Sequence, residues 1–253
     1  MSRGWRIFLF VFGAAGLAAA FAALSLPLPG PSSLRSRYLE AINSRTVPER
    51  HATDAVSAVN FDYRGFDTLG EEFILFVSVS GAMVLLREGR EQHGKLLPDG
   101  MARGREVAGS DAVRLWVLAM LAPKILFGLY VVTHGQLTPG GGFQGGVILA
   151  TAAFILYLGD GFDCFRRVVP HGLVEIGEAM GAGGYVAIGL LAFLSGREFL
   201  TNFLPLGRPG QVTAAGTMPV ISLLTGLEVT AGFTLLMFSF LQETLTPKED
   251  IDE

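Results

Sequence analysis

Long apolar runs separated by shorter polar stretches dominate the pattern of this chain. A helix that crosses a bilayer needs roughly 20 consecutive, mostly apolar residues, and six runs come close to that length. They are Ile7–Leu26, Thr68–Leu86, Ala112–Thr133, Gly142–Gly159, Gly172–Leu194 and Thr217–Leu241. The pattern predicts an all-α, polytopic membrane protein with about six transmembrane helices.

The first run also has the features of a secretory signal peptide. Arg3 and Arg6 precede it, and the small residues Ala20 and Ala22 lie near its end. However, the apolar core of a signal peptide usually spans only about 7–15 residues. The greater length of Ile7–Leu26 favours a retained helix.

The composition agrees with a membrane protein and argues against several other classes. Half of the 253 residues are hydrophobic and 17% are charged, whereas charged residues make up about 25% of a soluble domain. The net charge of -4 gives no indication of a nucleic-acid partner. Cys164 is the single cysteine, which excludes an intrachain disulfide and a cysteine-based zinc site. No nucleophilic triad or phosphate-binding loop is apparent, so we expect neither a cofactor nor covalent catalysis.

A polar stretch, Arg87–Gly109, divides the chain after the second apolar run. It is rich in Gly, Arg and Glu and lacks apolar periodicity, as is typical of a linker. The predicted parts are a two-span segment (1–87), a polar cytoplasmic linker (88–110), a four-span domain (111–243) and an acidic tail (244–253). Basic residues are more frequent in the segments on the side of the N-terminus, which predicts a cell membrane protein with both termini in the cytoplasm.

The first motif, Asp62–Glu71, leads into the second run. Thr68 and Glu71 have the spacing of a capping box, and Asp67 suits the positive end of a helix dipole. Arg64 can form an ion pair with either neighbouring aspartate. Helix initiation therefore explains the motif, and entry of ions past Asp67 and Glu71 is the alternative.

The second motif lies between the third and fourth runs. It reads His134-Gly135-Gln136-Leu137-Thr138-Pro139-Gly140-Gly141-Gly142-Phe143-Gln144-Gly145-Gly146. The spacing G-x-G-x-x-G occurs in it, but a dinucleotide site also needs a preceding strand, and here both flanks are apolar helices. We predict instead a tight turn of glycines, with Pro139 helping to start the next helix. Gly142 and Gly146 form a G-x-x-x-G pair for close helix contact, and His134 is expected at the membrane interface.

Four charged residues within the predicted spans are candidates for an ion path. Lys124 and Glu228 each lie about 11 residues into a span, near the middle of a hydrocarbon core about 30 Å thick. Ionisable residues at that depth mark functional sites by default, and the two could also pair with each other. Glu175 and Glu178 lie one turn apart near the start of the fifth run, where the helix dipole alone would stabilise them.

The two motifs resemble two different proteins of one family of complexes. His134-Gly135 with Thr138–Gly146 resembles the signature of the MnhB domain, the B-type subunit of Mrp-type sodium/proton antiporters, over roughly Asp111–Glu243. Asp62–Glu71 resembles the pattern Asp-Phe-Arg-Gly-Phe-Asp-Thr-Leu-Gly-Glu near the end of the large A-type subunit, with Tyr63 as one departure. This N-terminal resemblance is MbhE-like, and related subunits occur in membrane-bound hydrogenases and sulfur reductases.

The resemblance implies an accessory subunit of a hetero-oligomer that exchanges monovalent cations for protons. Its expected partners are other antiporter subunits and membrane lipid, with Na⁺ and H⁺ as the transported ions. Three alternatives remain: a non-conducting scaffold, the equivalent subunit of a hydrogenase-type complex, and a self-contained solute transporter. A membrane enzyme is disfavoured, because no polar catalytic cluster is apparent.

Overall fold

A computed structural model describes residues 3–25, 37–92 and 110–245 of the chain. It divides into two units, residues 1–42 and 43–253. The first unit contains helix α1, Arg3–Ser25, whose apolar stretch is Phe10–Ala23, and the start of α2, Arg37–Arg45. Leu26, the predicted end of the first run, lies outside the described residues.

The second unit is a bundle of long helices. They are α4 (Gly65–Gln92), α5 (Asp111–Thr133), α6 (Gly142–Val168), α7 (His171–Leu194) and α8 (Met218–Leu245). Each of the five is long and apolar enough to cross a membrane. Between α2 and α4 lie the π-helical turn Thr46–Arg50, the short helix α3 (Ala55–Ala58) and a second π-helical turn, Val59–Tyr63. The predicted all-α, polytopic architecture is confirmed.

Helices α4 and α6 extend furthest beyond their predicted bounds. α4 begins at Gly65 and continues to Gln92, into the predicted linker, because residues 87–92 include Arg, Glu and Gln, which propagate a helix well. α6 continues past Gly159 to Val168, with a kink at Gly161, where φ is 77°. Residues 93–109 of the predicted linker and 246–253 of the predicted tail lie outside the described residues.

Helix α8 is the centre of the bundle. It packs against α4, α5, α6 and α7, and 61% of its span is buried, compared with 17% for α4. α6 also packs on α5, and α7 also packs on α4. Polar residues on α8 are consequently the most shielded from lipid.

Glycines permit the close approach of α6 to its neighbours. A Cβ at Gly146 would lie 2.8 Å from Val229 Cβ on α8, and one at Gly145 would lie 2.8 Å from the Gly128 carbonyl on α5. Gly142 faces the Ser222 carbonyl just as closely. The predicted contact through Gly142 and Gly146 is confirmed, and it uses the small-residue packing found in membrane helix pairs.

The turn between α5 and α6 is tight, as predicted. Gly141 is the N-cap of α6 with φ of 129°, a conformation that favours glycine. Pro139 lies in the turn before this cap, so it is not a residue of the first helical turn. Gln136 fixes the turn, because its side-chain amide donates to the Val212 carbonyl at 2.6 Å and its own carbonyl accepts from the Thr53 and Asp54 amides.

Connecting segments at one end of the bundle form a polar layer, which we call the loop layer: residues 46–63, 134–141 and 195–217. Asn202 links its parts, since its amide donates to Asp62 Oδ2 and to the Ala215 carbonyl, both at 2.9 Å. Its Oδ1 accepts from the Thr217 amide, also at 2.9 Å. The layer positions the starts of α4 and α8.

Asp62 is an acidic residue of the loop layer with a buried side chain. Arg50 pairs with it at 3.1 Å. Burial raises the pKa of Asp62 above its ordinary value, and the Asn202 hydrogen bond and the Arg50 charge partly offset that rise. Arg64 pairs instead with Asp67, which confirms one of the two predicted partners.

The capping box predicted at Thr68 and Glu71 is wrong. The helix already begins at Gly65, so Thr68 lies within it. The Thr68 hydroxyl donates to the Asn60 carbonyl at 2.7 Å, and the buried Tyr185 hydroxyl on α7 donates to the Gly65 carbonyl at 2.9 Å. These tertiary contacts hold the start of α4 three residues earlier than the local pattern indicates.

Candidate functional site

Three glutamates from three helices meet in the interior of the bundle. Glu72 on α4 and Glu228 on α8 have no exposed surface, and Glu178 on α7 is 5% exposed. We call Glu72, Glu178 and Glu228 the carboxylate trio. Acidic side chains are rarely buried to this extent unless they are paired, so the trio requires an explanation.

The members of the trio are neighbours in space. The Glu72 and Glu228 carboxyl groups act on each other, and the charge of Glu228 also acts on Glu178. Glu228 lies ten residues into α8, which places it about 15 Å from the start of that helix at 1.5 Å per residue. Glu228 is therefore the central member in the sense that it acts on both of the others.

The carboxyl oxygens of the trio lack hydrogen-bond donors. When all three groups are ionised, both oxygens of Glu72, both of Glu228 and Oε1 of Glu178 are buried without a donor within the described part of the chain. The Glu72 and Glu228 carboxyl groups lie close enough to share a proton, and the buried Thr225 hydroxyl, one turn before Glu228, lies beside Glu72. Burial of a polar group without a partner is costly, so these atoms are the natural place for a proton or a cation.

Glycines bring the helices together around the trio. A Cβ at Gly181 on α7 would lie 2.7 Å from the Glu228 amide nitrogen and 2.8 Å from its Cα. A Cβ at Gly232 on α8 would lie 3.6 Å from Glu178 Oε1 and 3.5 Å from a Val79 methyl group. Gly181 thus places the backbone of α7 directly on the residue that carries the central carboxyl.

A polar cleft lies beside the Glu72 end of the trio. Its volume is about 570 Å³, and its polar lining includes Asn60, Thr68, Glu71 and Gln144. Glu71 is exposed, and its charge acts on the adjacent Glu72. The cleft therefore contains an exposed carboxylate, Glu71, that is next in the chain to the buried carboxyl group of Glu72.

A second exposed carboxylate lies beside Glu178, near the start of α7. Glu175 pairs with His171 at 3.4 Å, and its charge acts on Glu178. We call these five acidic residues the row: Glu71 and Glu175 are exposed, and each acts on a buried member of the trio. Within the described ranges, no three or more His, Cys, Asp or Glu residues are arranged to hold a metal ion.

Lys124 does not join the row. Its Nζ donates to Thr151 Oγ1 on α6 at 2.8 Å, and that hydroxyl donates in turn to the Ile148 carbonyl at 2.6 Å. The pair with Glu228 that the sequence allows is not formed, since both Glu228 carboxyl oxygens are without a hydrogen-bond partner among the described residues. Equal depth in the membrane did not place the two residues on facing sides of their helices.

The structure brings together some of the predicted ion-path residues and separates others. Glu178 and Glu228 belong to the trio, and Glu71 and Glu175 lie at the two ends of the row. Asp67 is exposed and forms an ion pair with Arg64. Glu72 was missed by sequence reasoning, although its spacing of seven residues from the buried Val79 is a helical signal for one shared face.

The residues of the glycine motif have structural positions. His134 is the C-cap residue of α5 and stacks on Tyr130, with ring centroids 4.2 Å apart. Gly140 and Phe143 line the polar cleft beside Glu71. The motif therefore shapes one wall of the cleft as well as the packing of α6.

Proteins similar to this chain include a subunit of a cation antiporter and a chain of a respiratory complex. A probable K⁺/H⁺ antiporter A/B subunit of Rhizobium meliloti is 26% identical over 79% of this chain, which spans only 21% of that protein. An uncharacterized protein of Methanocaldococcus jannaschii is 28% identical over 72% of this chain and 75% of its own length. Among solved structures, a chain of the archaeal membrane-bound sulfane sulfur reductase, a respiratory membrane complex, is 27% identical with a TM-score of 0.73, covering 94% of this chain and 98% of that one.

The four-span part of the chain matches a family model. The match covers residues 112–235 and is described as a domain related to the MnhB subunit of Na⁺/H⁺ antiporters. It begins at α5 and ends within α8, so it contains Glu178 and Glu228 and leaves Glu72 outside. The chain is a multi-pass membrane protein whose residues 112–235 form a domain of the MnhB-related family.

Proposed function

We propose that this chain is an accessory membrane subunit of a multisubunit monovalent cation/proton antiporter, and that its carboxylate trio lies on the path of protons or cations. The single observation that carries the ion-path role is the trio itself: buried carboxyl groups from three helices whose oxygens have no donors within the described residues. An exclusively structural cluster would be expected to satisfy its buried polar atoms.

The row has the arrangement that a relay needs. Its ends are exposed at Glu71, beside the polar cleft, and at Glu175, near the start of α7. Its middle is shielded from lipid by the position of Glu228 on the central helix α8. Ionisable residues inside transmembrane bundles commonly form such relays.

The proposed orientation has the loop layer outside the cell and both termini in the cytoplasm. The excess of basic residues on the opposite side supports it; Arg114, Arg166 and Arg167 lie at that end of the bundle. A tag at the C-terminus should be inaccessible from outside intact cells. Labelling of that tag from outside would reverse the assignment.

Conservative neutral variants test the ion-path role. Glu72→Gln, Glu178→Gln and Glu228→Gln keep the shape of the side chain and remove its ability to exchange a proton. We expect each to reduce cation-dependent proton movement in vesicles about tenfold or more, which corresponds to about 1.4 kcal/mol in the barrier. Yield of the complex should be unchanged, and the exposed Glu198→Gln serves as the control.

Coupling within the trio sharpens this test. If Glu72 and Glu228 belong to one relay, the double variant should transport little less than either single variant, because one break already stops the relay. Wild-type transport in all three single variants, with normal complex yield, would assign the chain to a non-conducting scaffold. Running the same assay in Na⁺ and in K⁺ shows which cation drives the proton movement.

The equivalent subunit of a respiratory membrane complex is the second candidate. The likeness to the sulfane sulfur reductase chain favours it, because that match covers nearly the whole of both chains. Purification of the native complex distinguishes the two candidates. Iron–sulfur or other redox subunits that co-purify would support the respiratory complex, and their absence from an intact, cation-transporting assembly would support the antiporter.

A further inference from the structure

An apolar groove opens between α6 and α7 over α8, with Leu121 and Ile125 of α5 along one side, and it extends from the α6–α7 loop toward the middle of the bundle. Both helices pack on α8, and the groove between them has a volume of about 390 Å³. Its walls include Leu156, Val169, Leu173 and Gly177, with Ala231 on α8 at the base. Leu173 is 65% exposed, so the groove faces the surroundings of the bundle rather than its interior.

The end of α6 beyond its kink borders this groove. At Gly161 the helix changes direction, with φ of 77°, and the segment that follows is fastened to α8 by aromatic contacts. The rings of Phe165 and Phe238 lie 4.4 Å apart, and those of Phe162 and Phe238 lie 6.2 Å apart. The end of α6 is therefore drawn onto α8.

The base of the groove suits a hydrocarbon chain better than a polar ligand. Its hydroxyl groups belong to Thr230 and Thr234, and both are already engaged with backbone. Thr230 donates to the Gly226 carbonyl at 2.6 Å, and Thr234 donates to the Thr230 carbonyl at 2.6 Å. Neither hydroxyl hydrogen is available to recognise a polar group in the groove.

Two arginines directly precede the groove-lining end of α6. Arg166 and Arg167 are exposed in the last turn of α6, directly before the groove-lining residues Val168 and Val169. Neither forms an ion pair within the described residues. Arg114, another arginine at this end, is by contrast occupied by Asp160 at 3.2 Å.

We propose that the groove binds one acyl chain of an anionic phospholipid, whose phosphate is held by Arg166 and Arg167. Basic sites between transmembrane helices bind such head groups, and arginine makes bidentate contacts with phosphate. The lipid belongs to the leaflet at the α6–α7 end, where the loop Val169–Pro170 connects the two helices. The site does not include the carboxylate trio, although its lining residues Gly177 and Leu227 directly precede Glu178 and Glu228 in the chain.

Photo-crosslinking in native membranes tests the proposal. The probes are phosphatidylglycerol and phosphatidylcholine, each with a diazirine on one acyl chain. We expect phosphatidylglycerol to label the intact chain several-fold more than phosphatidylcholine, with the labelled peptides in α6 and α7. Replacement of both arginines (R166Q/R167Q) should reduce phosphatidylglycerol labelling to the phosphatidylcholine level, whereas R208Q at the opposite end should not.

A matched glycine pair on α7 tests the groove itself. A Cβ at Gly177 would be 3.5 Å from Leu227 and 3.6 Å from Ala231, an ordinary contact, so Gly177→Leu can fill the groove. Gly183 on the same helix has open space around it, which makes Gly183→Leu the control. Labelling should fall several-fold in Gly177→Leu only.

Two outcomes would overturn the proposal. Equal labelling by both lipids in the wild-type chain would show that the arginines do not select an anion. Labelling that persists in Gly177→Leu, or cross-links from groove positions to a helix of another protein in place of lipid, would show that no acyl chain occupies the groove.

Discussion

The loop layer and the carboxylate trio both bury polar side chains, but they differ in the hydrogen-bond partners that those side chains have. In the loop layer, Asn202 makes three hydrogen bonds and Asp62 has both an arginine and an amide as partners. In the trio, five carboxyl oxygens are buried with no donor from the described ranges. Satisfied polar groups fix a structure, whereas unsatisfied ones at the centre of a membrane bundle indicate a site that takes up a charge.

The largest expected effect is on the loop layer. Asn202→Ala removes three hydrogen bonds and leaves the Thr217 amide and Asp62 short of partners. We expect a loss of about 2–4 kcal/mol in the stability of the folded chain, measured as the thermal midpoint of the purified complex. If Asn202→Ala abolished transport without lowering the thermal midpoint, the loop layer would not be the structural counterpart of the trio.

The packing around the trio gives the next largest effect. Gly181→Ala places a methyl group against the backbone of Glu228, a clash that a flexible side chain cannot relieve. The expected cost is about 1–3 kcal/mol, with a fall in complex yield. Gly183→Ala on the same helix should be neutral or stabilising, because its surroundings are open; equal losses in both variants would contradict the packing argument.

The effect of Arg50→Gln should depend on pH. The substitution leaves the Asp62 carboxyl group with one partner fewer, and at neutral pH we expect a loss of about 1–2 kcal/mol, reduced by the partial exposure of Arg50. Because the pKa of Asp62 is already raised in the folded chain, the folded state gains stability relative to the unfolded state as the pH falls toward the ordinary carboxyl range.

Once Asp62 carries a proton, Arg50 no longer stabilises a charge. The difference between the wild-type chain and Arg50→Gln should therefore shrink as the pH is lowered. Thermal midpoints measured from about pH 7.5 to about pH 5 check this expectation. A difference that is constant with pH would show that Arg50 acts through its packing on Tyr63, whose ring centroid lies 5.1 Å from the guanidinium carbon.

The smallest stability effect is expected where the transport effect is largest. Glu228→Gln replaces a carboxyl group with a neutral group of the same shape. The free energy of unfolding, followed through the thermal midpoint, should therefore not fall by more than about 0.5 kcal/mol. Asn202→Ala and Glu228→Gln together thus form the sharpest test of the comparison. A large loss of stability in Glu228→Gln would assign the trio to structure.

The long helices could be predicted from the sequence because the bilayer sets their length. α5, α7 and α8 begin within one residue of the predicted apolar runs. The glycine contacts of α6 were also predictable, because a four-residue spacing places Gly142 and Gly146 on one helix face. Local patterns of this kind need no knowledge of the tertiary fold.

The site was harder to predict because it depends on the rotation of helices about their axes. Depth along the chain placed Lys124 and Glu228 at the same level, but only tertiary packing turned Lys124 toward Thr151 and Glu228 toward Glu72. Glu71 has the spacing of a capping box with Thr68, whereas no local motif includes its buried neighbour Glu72. The start of α4 at Gly65, fixed by Tyr185 and Asn60, decides which of the two glutamates faces the interior.

The contact between Gly181 and the backbone of Glu228 has a consequence for how such a chain can evolve. A side chain at position 181 requires the seam between α7 and α8 to widen, and a wider seam displaces the central carboxyl group. The close atoms are the backbone and Cβ of residue 228, which every residue other than glycine also has. Position 181 is therefore expected to stay small even in a lineage that has lost the carboxyl group.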